Sequence, residues 1–332
     1  MKTLVFKLLW LPAVLACITL LLILLNIAVG DTPISMGEIM KIMFGRGDAE
    51  ASYVIWQYRM PRLLLALLVG ASLAVSGVIV QAVMRNPLAA PDTLGITGGA
   101  GLAAVAITLL MPLSAPLVLT ISAFIGGLAA AAAVYMLAYR TGIIPVRLML
   151  VGIAISAFCA SAVQLLVTRG FPNVSSALIW LSGSLWGRSW EQVSHLLPWV
   201  VILVPLAWIL SIRMDIIRIG DLIGKGLGLR IEANRLLLLS IAIFLAGAAV
   251  SAVGTIGFVG LITPHLARRL VGARHRVLIP VAALLGGQLV LLADLLGRAI
   301  KPPLEIPAGL IVAMIGGPYF LFLLWKQSRL TS

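Results

Sequence analysis

The chain has 332 residues, of which 61% are hydrophobic and 11% charged, whereas a soluble domain carries roughly 25% charged side chains. That surplus of apolar side chains excludes a soluble enzyme and requires lipid as the solvent. The net charge of +13 does not indicate nucleic acid, because the basic residues are spread through short segments between apolar runs, where they set topology.

Apolar runs predict ten helical segments, at 8–29, 62–83, 93–112, 115–138, 146–168, 192–212, 236–254, 255–267, 277–296 and 306–325. The first, Leu8 to Val29, contains no charge and gains about 4–8 kcal/mol on insertion before Pro12 and Asn26 are set against it. Lys2 and Lys7 would suit the basic end of a signal peptide, and Ala16-Cys17 a lipoprotein cleavage site. Leu15 is bulky where a small residue belongs, however, and the apolar run outlasts a signal core, so an ordinary first helix is expected. Cys17 and Cys159 lie inside apolar runs and read as reduced packing residues.

Further along, Gly70-Ala71 with Gly77 is echoed by Gly247-Ala248 with Gly254 on a helix of opposite sense. Such spacing permits close helix packing, and it also suits inverted halves around a central path. Asp92 or Thr93 is expected to cap the third helix. The eighth segment is short, about 20 Å of helix against a core of about 30 Å. Arg213, Arg218, Lys225, Arg230 and Arg235 precede the seventh and eighth segments, and Arg268, Arg269, Arg274 and Arg276 follow them. The pair must therefore return the chain to one face, as a Gly-interrupted partial helix covered by protein or water can do. Placing both termini in the cytoplasm puts most Lys and Arg on that side, with Trp56, Trp180, Trp186 and Trp190 near the outer interface and Trp10 and Trp325 near the inner one.

Chemistry-bearing clusters are missing. His195, His265 and His275 lack metal-ligand spacing and read as loop or helix-end residues. The stretch from Gly220 to Gly226 superficially resembles a phosphate loop, but three residues separate Gly220 from Gly224 and no Ser or Thr follows Lys225. No cofactor or ATP site is expected on this chain. The helix centres lack ionisable residues, and Asp294 and Glu305 fall near outer helix ends, where exposure is cheap. These features suit a pathway whose energy source lies on another polypeptide.

Several motifs then point one way. Arg59-Met-Pro-Arg62, Gly70-Ala-Ser-Leu-Ala-Val-Ser-Gly77, Gln81 and Arg85-Asn-Pro-Leu-Ala-Ala-Pro91 resemble the permease subunits of iron-chelate and vitamin B12 ABC importers. The same holds for Gly257-Phe-Val-Gly-Leu-Ile262, Pro264-His265, Arg268, His275-Arg-Val-Leu-Ile-Pro280, Ala293-Asp294 with Arg298, and Gly316-Gly-Pro-Tyr-Phe320. Residues 180–190, Trp-Leu-Ser-Gly-Ser-Leu-Trp-Gly-Arg-Ser-Trp, look most like permeases for ferric siderophores or ferric citrate. Haem or vitamin B12 remains an alternative cargo, and an ion-coupled secondary transporter is disfavoured by the missing mid-membrane charges.

The resemblance implies an all-α, polytopic, large-type ABC importer permease of about ten transmembrane helices, with residues 1–332 as one transmembrane domain in the cytoplasmic membrane. It implies a second permease subunit, two cytoplasmic ATPase subunits that hold ATP and Mg, and an extracytoplasmic substrate-binding protein. Arg59, Arg62 and Arg298 would dock the binding protein from outside, the other reading being bilayer anchoring by snorkelling. Within the loop 212–235, Gly220, Asp221, Leu227 and Gly228 resemble the family's ATPase-coupling helices, the other reading being a solvated basic loop. Gly224 and Gly226 weaken that helix expectation by about 1 kcal/mol each relative to Ala. Asn86 and Pro87 read either as a plain helix stop or as part of a cytoplasmic gate.

Overall fold

A computed structural model describes every residue except Met1, Asp31, Arg140, Thr141, Ile143, Lys301, Pro303 and Ser332; the side chains of residues 2–9, 323, 324 and 326–331 also lie outside the description, Lys2 and Lys7 among them. The described residues form helices and connections, with no strand. In chain order the helices are α1 (Lys2–Ala28), α2 (Met36–Met43), α3 (Ala49–Val54), α4 (Met60–Met84), α5 (Ile96–Leu110), α6 (Pro116–Ala138), α7 (Pro145–Thr168) and α8 (Val174–Leu181). They continue as α9 (Trp190–Ile209), α10 (Ser211–Ile219), α11 (Asp221–Gly226), α12 (Ile231–Val253), α13 (Val259–Val271), α14 (His275–Ala299) and α15 (Ala308–Thr331). A π-helical turn, Ile55–Arg59, joins α3 to α4, and a 3-10 turn, Pro91–Leu94, leads towards α5.

Ten of these helices coincide with the ten expected segments: α1, α4, α5, α6, α7, α9, α12, α13, α14 and α15. Among the described residues, seven helical stretches are long and apolar enough to cross a membrane. Helices α5 and α13 are shorter, and non-helical backbone precedes both. Such backbone is tolerated at membrane depth only where protein or water covers it. The partial helix expected at 255–267 starts later, at Val259, because Phe258 takes a left-handed conformation (φ 64°) that breaks the helix there.

The core is built around α4, which is buried on all sides from Ser72 to Met84 and packs against α14, α12, α13 and α9. An all-round apolar helix belongs in such a place. Close approach needs glycine: a Cβ on Gly70 would collide with the Gly286 carbonyl on α14, and one on Gly77 with the Gly260 carbonyl on α13. Gly247 faces only the ring of Phe124, and Gly254 ends α12 against the Trp180 carbonyl. The two glycine sets therefore perform different packing tasks, and the echo does not extend to equivalent contacts. In contrast, α7 leaves Leu150, Ile153, Phe158 and Leu165 exposed, a surface that suits lipid or another subunit.

Three expectations are corrected here. Trp180 is buried with Ala100, Ala104, Ala123 and Val250, so it does not join the interfacial belt, whereas Trp56, Trp186 and Trp190 are exposed. Neither Asp92 nor Thr93 caps α5: Gly95 occupies the N-cap without a side-chain bond, and the Thr93 hydroxyl donates to the Ala90 carbonyl at 2.7 Å. Asp294 is 3% exposed, because two arginines neutralise it inside the bundle and remove any need for water.

Candidate functional site

At one end of the bundle, the start of α4 meets the ends of α1 and α14. Arg62 donates through Nε to both carboxylate oxygens of Asp294 at 3.0 Å and through Nη2 to Oδ1 at 2.8 Å. Its Nη1 donates to Glu305 Oε1 at 3.0 Å. Arg298, one turn beyond Asp294, has its Nε 3.3 Å from Oδ2 of that aspartate. It also donates to the Val29 carbonyl at 2.7 Å and to Asn26 Oδ1 at 2.7 Å. Arg59 donates to the carbonyls of Ile27, Ala28 and Thr32. The last carbonyls of α1 lack intrahelical donors and carry partial negative charge, so a guanidinium satisfies both needs.

The three arginines expected to dock a partner are thus brought together, and all three are held by partners within the chain. Arg59 and Arg298 are each 7% exposed. Together they line a cleft of about 310 Å³ with Tyr58, Trp186, Arg188 and Glu305. Arg188 stands within the Trp-rich motif at 180–190, where nothing in the sequence pattern distinguishes it from a solvated arginine. It sits in the turn between α8 and α9, where the Trp186 amide donates to Ser184 Oγ at 3.1 Å. Burial lowers the Arg188 pKa from the ordinary arginine value.

At the opposite end, the loop expected at 212–235 is folded. Helices α10 and α11 meet at Gly220, whose backbone (φ 146°, ψ 153°) turns the chain sharply between them. Asp221 latches this hairpin to the body: it pairs with Arg85 at the end of α4 and accepts from Arg235 Nη2 on α12 at 2.7 Å. Arg85 Nε also donates to the Ile217 carbonyl at 2.9 Å. Asp215 lies 2.6 Å from His275 Nδ1 and accepts from the His275 amide at 3.2 Å. Gly224 is buried in α11 against Ile231, so here a glycine serves packing. Ile219, Leu222, Ile223 and Leu227 remain exposed, an apolar set on an otherwise charged hairpin.

Asn86 forms a turn by accepting from the Leu88 amide at 2.9 Å, and its Nδ2 reaches the Met149 sulfur of α7 at 3.6 Å. With Pro87, it lines a cavity of about 290 Å³ shared by Gln81, Arg85, Arg218 and Arg268. A third cavity, of about 390 Å³, holds Asp92, Thr97, Ser156, Thr255 and Gly257. Among the described residues, no group of three or more His, Cys, Asp or Glu side chains could hold a metal ion.

Comparison with known proteins places this arrangement. The chain is 45% identical to the Fe(3+)-citrate import system permease protein YfmE of Bacillus subtilis, over 95% of each chain. It is 42% identical to the Fe(3+) dicitrate transport system permease protein FecD of Escherichia coli, over 92% of this chain and 94% of that one. Among solved structures, one described as an inward-facing metal-chelate type ABC transporter superposes with a TM-score of 0.85 at 30% identity, covering 94% of this chain and 97% of the other. The model of the FecCD transport family matches residues 18–326, and the chain belongs to that family.

Proposed function

We propose that this chain is the permease subunit of an ATP-driven importer that carries a ferric chelate of the citrate or hydroxamate type across the cytoplasmic membrane. The observation that carries the reading is the likeness along nearly the whole chain to permeases named for Fe(3+)-citrate and Fe(3+) dicitrate. In this reading a second permease subunit pairs with the exposed faces. Two ATPase subunits bind the α10–α11 hairpin and hold the ATP and Mg, and a binding protein delivers cargo to the arginine-rich end. Both termini face the cytoplasm.

The inner contact is supported by the exposed Ile219, Leu222, Ile223 and Leu227 on a hairpin latched by Asp221. ATP-driven motion of that hairpin would reach α4 through Arg85 and α12 through Arg235, without unfolding either. In this reading Asn86 and Pro87 close the cytoplasmic mouth, supported by the contact of the Asn86 Nδ2 with the Met149 sulfur of α7. The test is uptake of iron-labelled citrate, hydroxamate and catecholate chelates, haem and vitamin B12 by cells carrying or lacking this chain. Uptake of a ferric citrate or hydroxamate chelate that depends on the chain is expected; dependence confined to haem or vitamin B12 would reassign the cargo.

A further inference from the structure

The outer cleft is lined by four guanidiniums, and three of them are tied into the fold. Arg62 is held by Asp294 and Glu305, Arg298 by Asp294, Asn26 and Val29, and Arg59 by the end of α1. Arg188 differs. Among the described residues its side chain makes one hydrogen bond, a long one from Nε to the Ser184 carbonyl at 3.4 Å, and no carboxylate lies within ion-pair distance of it. The Arg188 side chain is half-buried, and its terminal nitrogens make no hydrogen bond to the described residues, so they can both turn to an anion entering the cleft.

We propose that Arg188 is the seat for a carboxylate of the anionic cargo, so that the cleft accepts a citrate-type ferric chelate on its way into the bundle. This rests on the importer reading above. The planar guanidinium pairs with a carboxylate through two parallel hydrogen bonds, which fixes orientation as well as charge. Partial desolvation strengthens the pairing over its value in water. Glu305 does not oppose it, because Arg62 Nη2 lies 2.8 Å from its carboxylate. The cleft has the volume of a small-molecule site, and Trp186, 64% exposed, provides an apolar wall beside the cation.

The experiment compares the assembled importer carrying the wild-type chain, Arg188→Ala and Arg188→Lys. Uptake is measured below saturation with ferric citrate and with a ferric hydroxamate that has no free carboxylate. We expect Arg188→Ala to lower ferric citrate uptake about tenfold and leave the hydroxamate nearly unchanged, with Lys restoring part of the loss. Equal loss for both chelates, or no loss, overturns the assignment. So does a weakened affinity of the chelate-free binding protein for the Ala variant, which would give the arginine to a partner's carboxylate.

A second measurement does not depend on transport. The purified full chain is titrated with citrate, and the tryptophan fluorescence change that disappears in Trp186→Phe is followed. Binding on the order of millimolar, weakened about tenfold or more by Arg188→Ala, supports the seat; an unaltered titration overturns it. If this titration depends on Arg188 while the wild-type importer carries neither chelate, the importer reading falls and the anion seat stands.

Discussion

Arg62 and Asp294 lie 232 positions apart in the chain yet make three hydrogen bonds of 2.8–3.0 Å. Asp294 is 3% and Arg62 14% exposed, so removing Arg62 takes three hydrogen bonds from a buried carboxylate and leaves it Arg298 alone, with Nε at 3.3 Å. Arg62→Ala is expected to cost about 3–5 kcal/mol of stability, and the double variant with Asp294→Ala to cost less than the sum of the single changes. Denaturant unfolding of the purified chain in detergent checks this, and additive losses would mean that the pair is not coupled. The consequence for docking is direct. Alanine variants at Arg59, Arg62 or Arg298 must be compared at equal amounts of folded protein, since loss of binding would otherwise report loss of structure. The motif residues were visible in the sequence, but their burial was not, because an arginine beside an apolar run reads the same whether it faces water or a distant aspartate.

The hairpin of α10 and α11 depends on its backbone as much as on its side chains. Gly226 has open space around its Cβ position, so Gly226→Ala is expected to stabilise α11 by up to about 1 kcal/mol. Gly228 has φ 79°, where an L side chain is strained, and Gly228→Ala is expected to cost about 1–2 kcal/mol. Hydrogen exchange of the amides at 221–226 reads both changes, and a loss of protection in Gly226→Ala would contradict the first. Function at this scale separates latch from contact. Asp221→Asn should loosen the hairpin from Arg85 and Arg235, while Leu227→Asp should place a charge in the exposed apolar set. Both are expected to leave ATP hydrolysis by the assembled importer running with transport reduced severalfold; full transport in both variants would move the ATPase contact elsewhere.

At the scale of the whole molecule, the arginine cleft and the α10–α11 hairpin fall at opposite ends of α4, about 37 Å of helix apart. Leu113, in the turn between α5 and α6, is 99% exposed, and Leu222 on α11 is 87% exposed. With Cys17 and Cys159 replaced, a cysteine at position 113 is expected to react with a membrane-impermeant thiol reagent in intact cells. One at position 222 should react only after the membrane is opened. The reverse pattern would invert the topology while leaving the fold intact.

The all-helical class and the approximate bounds of the ten apolar helices were readable from the sequence alone. Insertion into a bilayer sums local transfer energies over windows of about twenty residues, and such a sum needs no knowledge of distant parts. The short eighth helix was also within reach, because charge on both flanks constrained its path. Only the tertiary structure decided that Trp180 turns inward, that Asp92 faces a cavity instead of capping α5, and that Asp221 latches two helices. It alone singled out Arg188 from four arginines in one cleft. Each of those outcomes depends on which helices pack together, and packing brings remote residues within hydrogen-bond distance on terms that no local window contains.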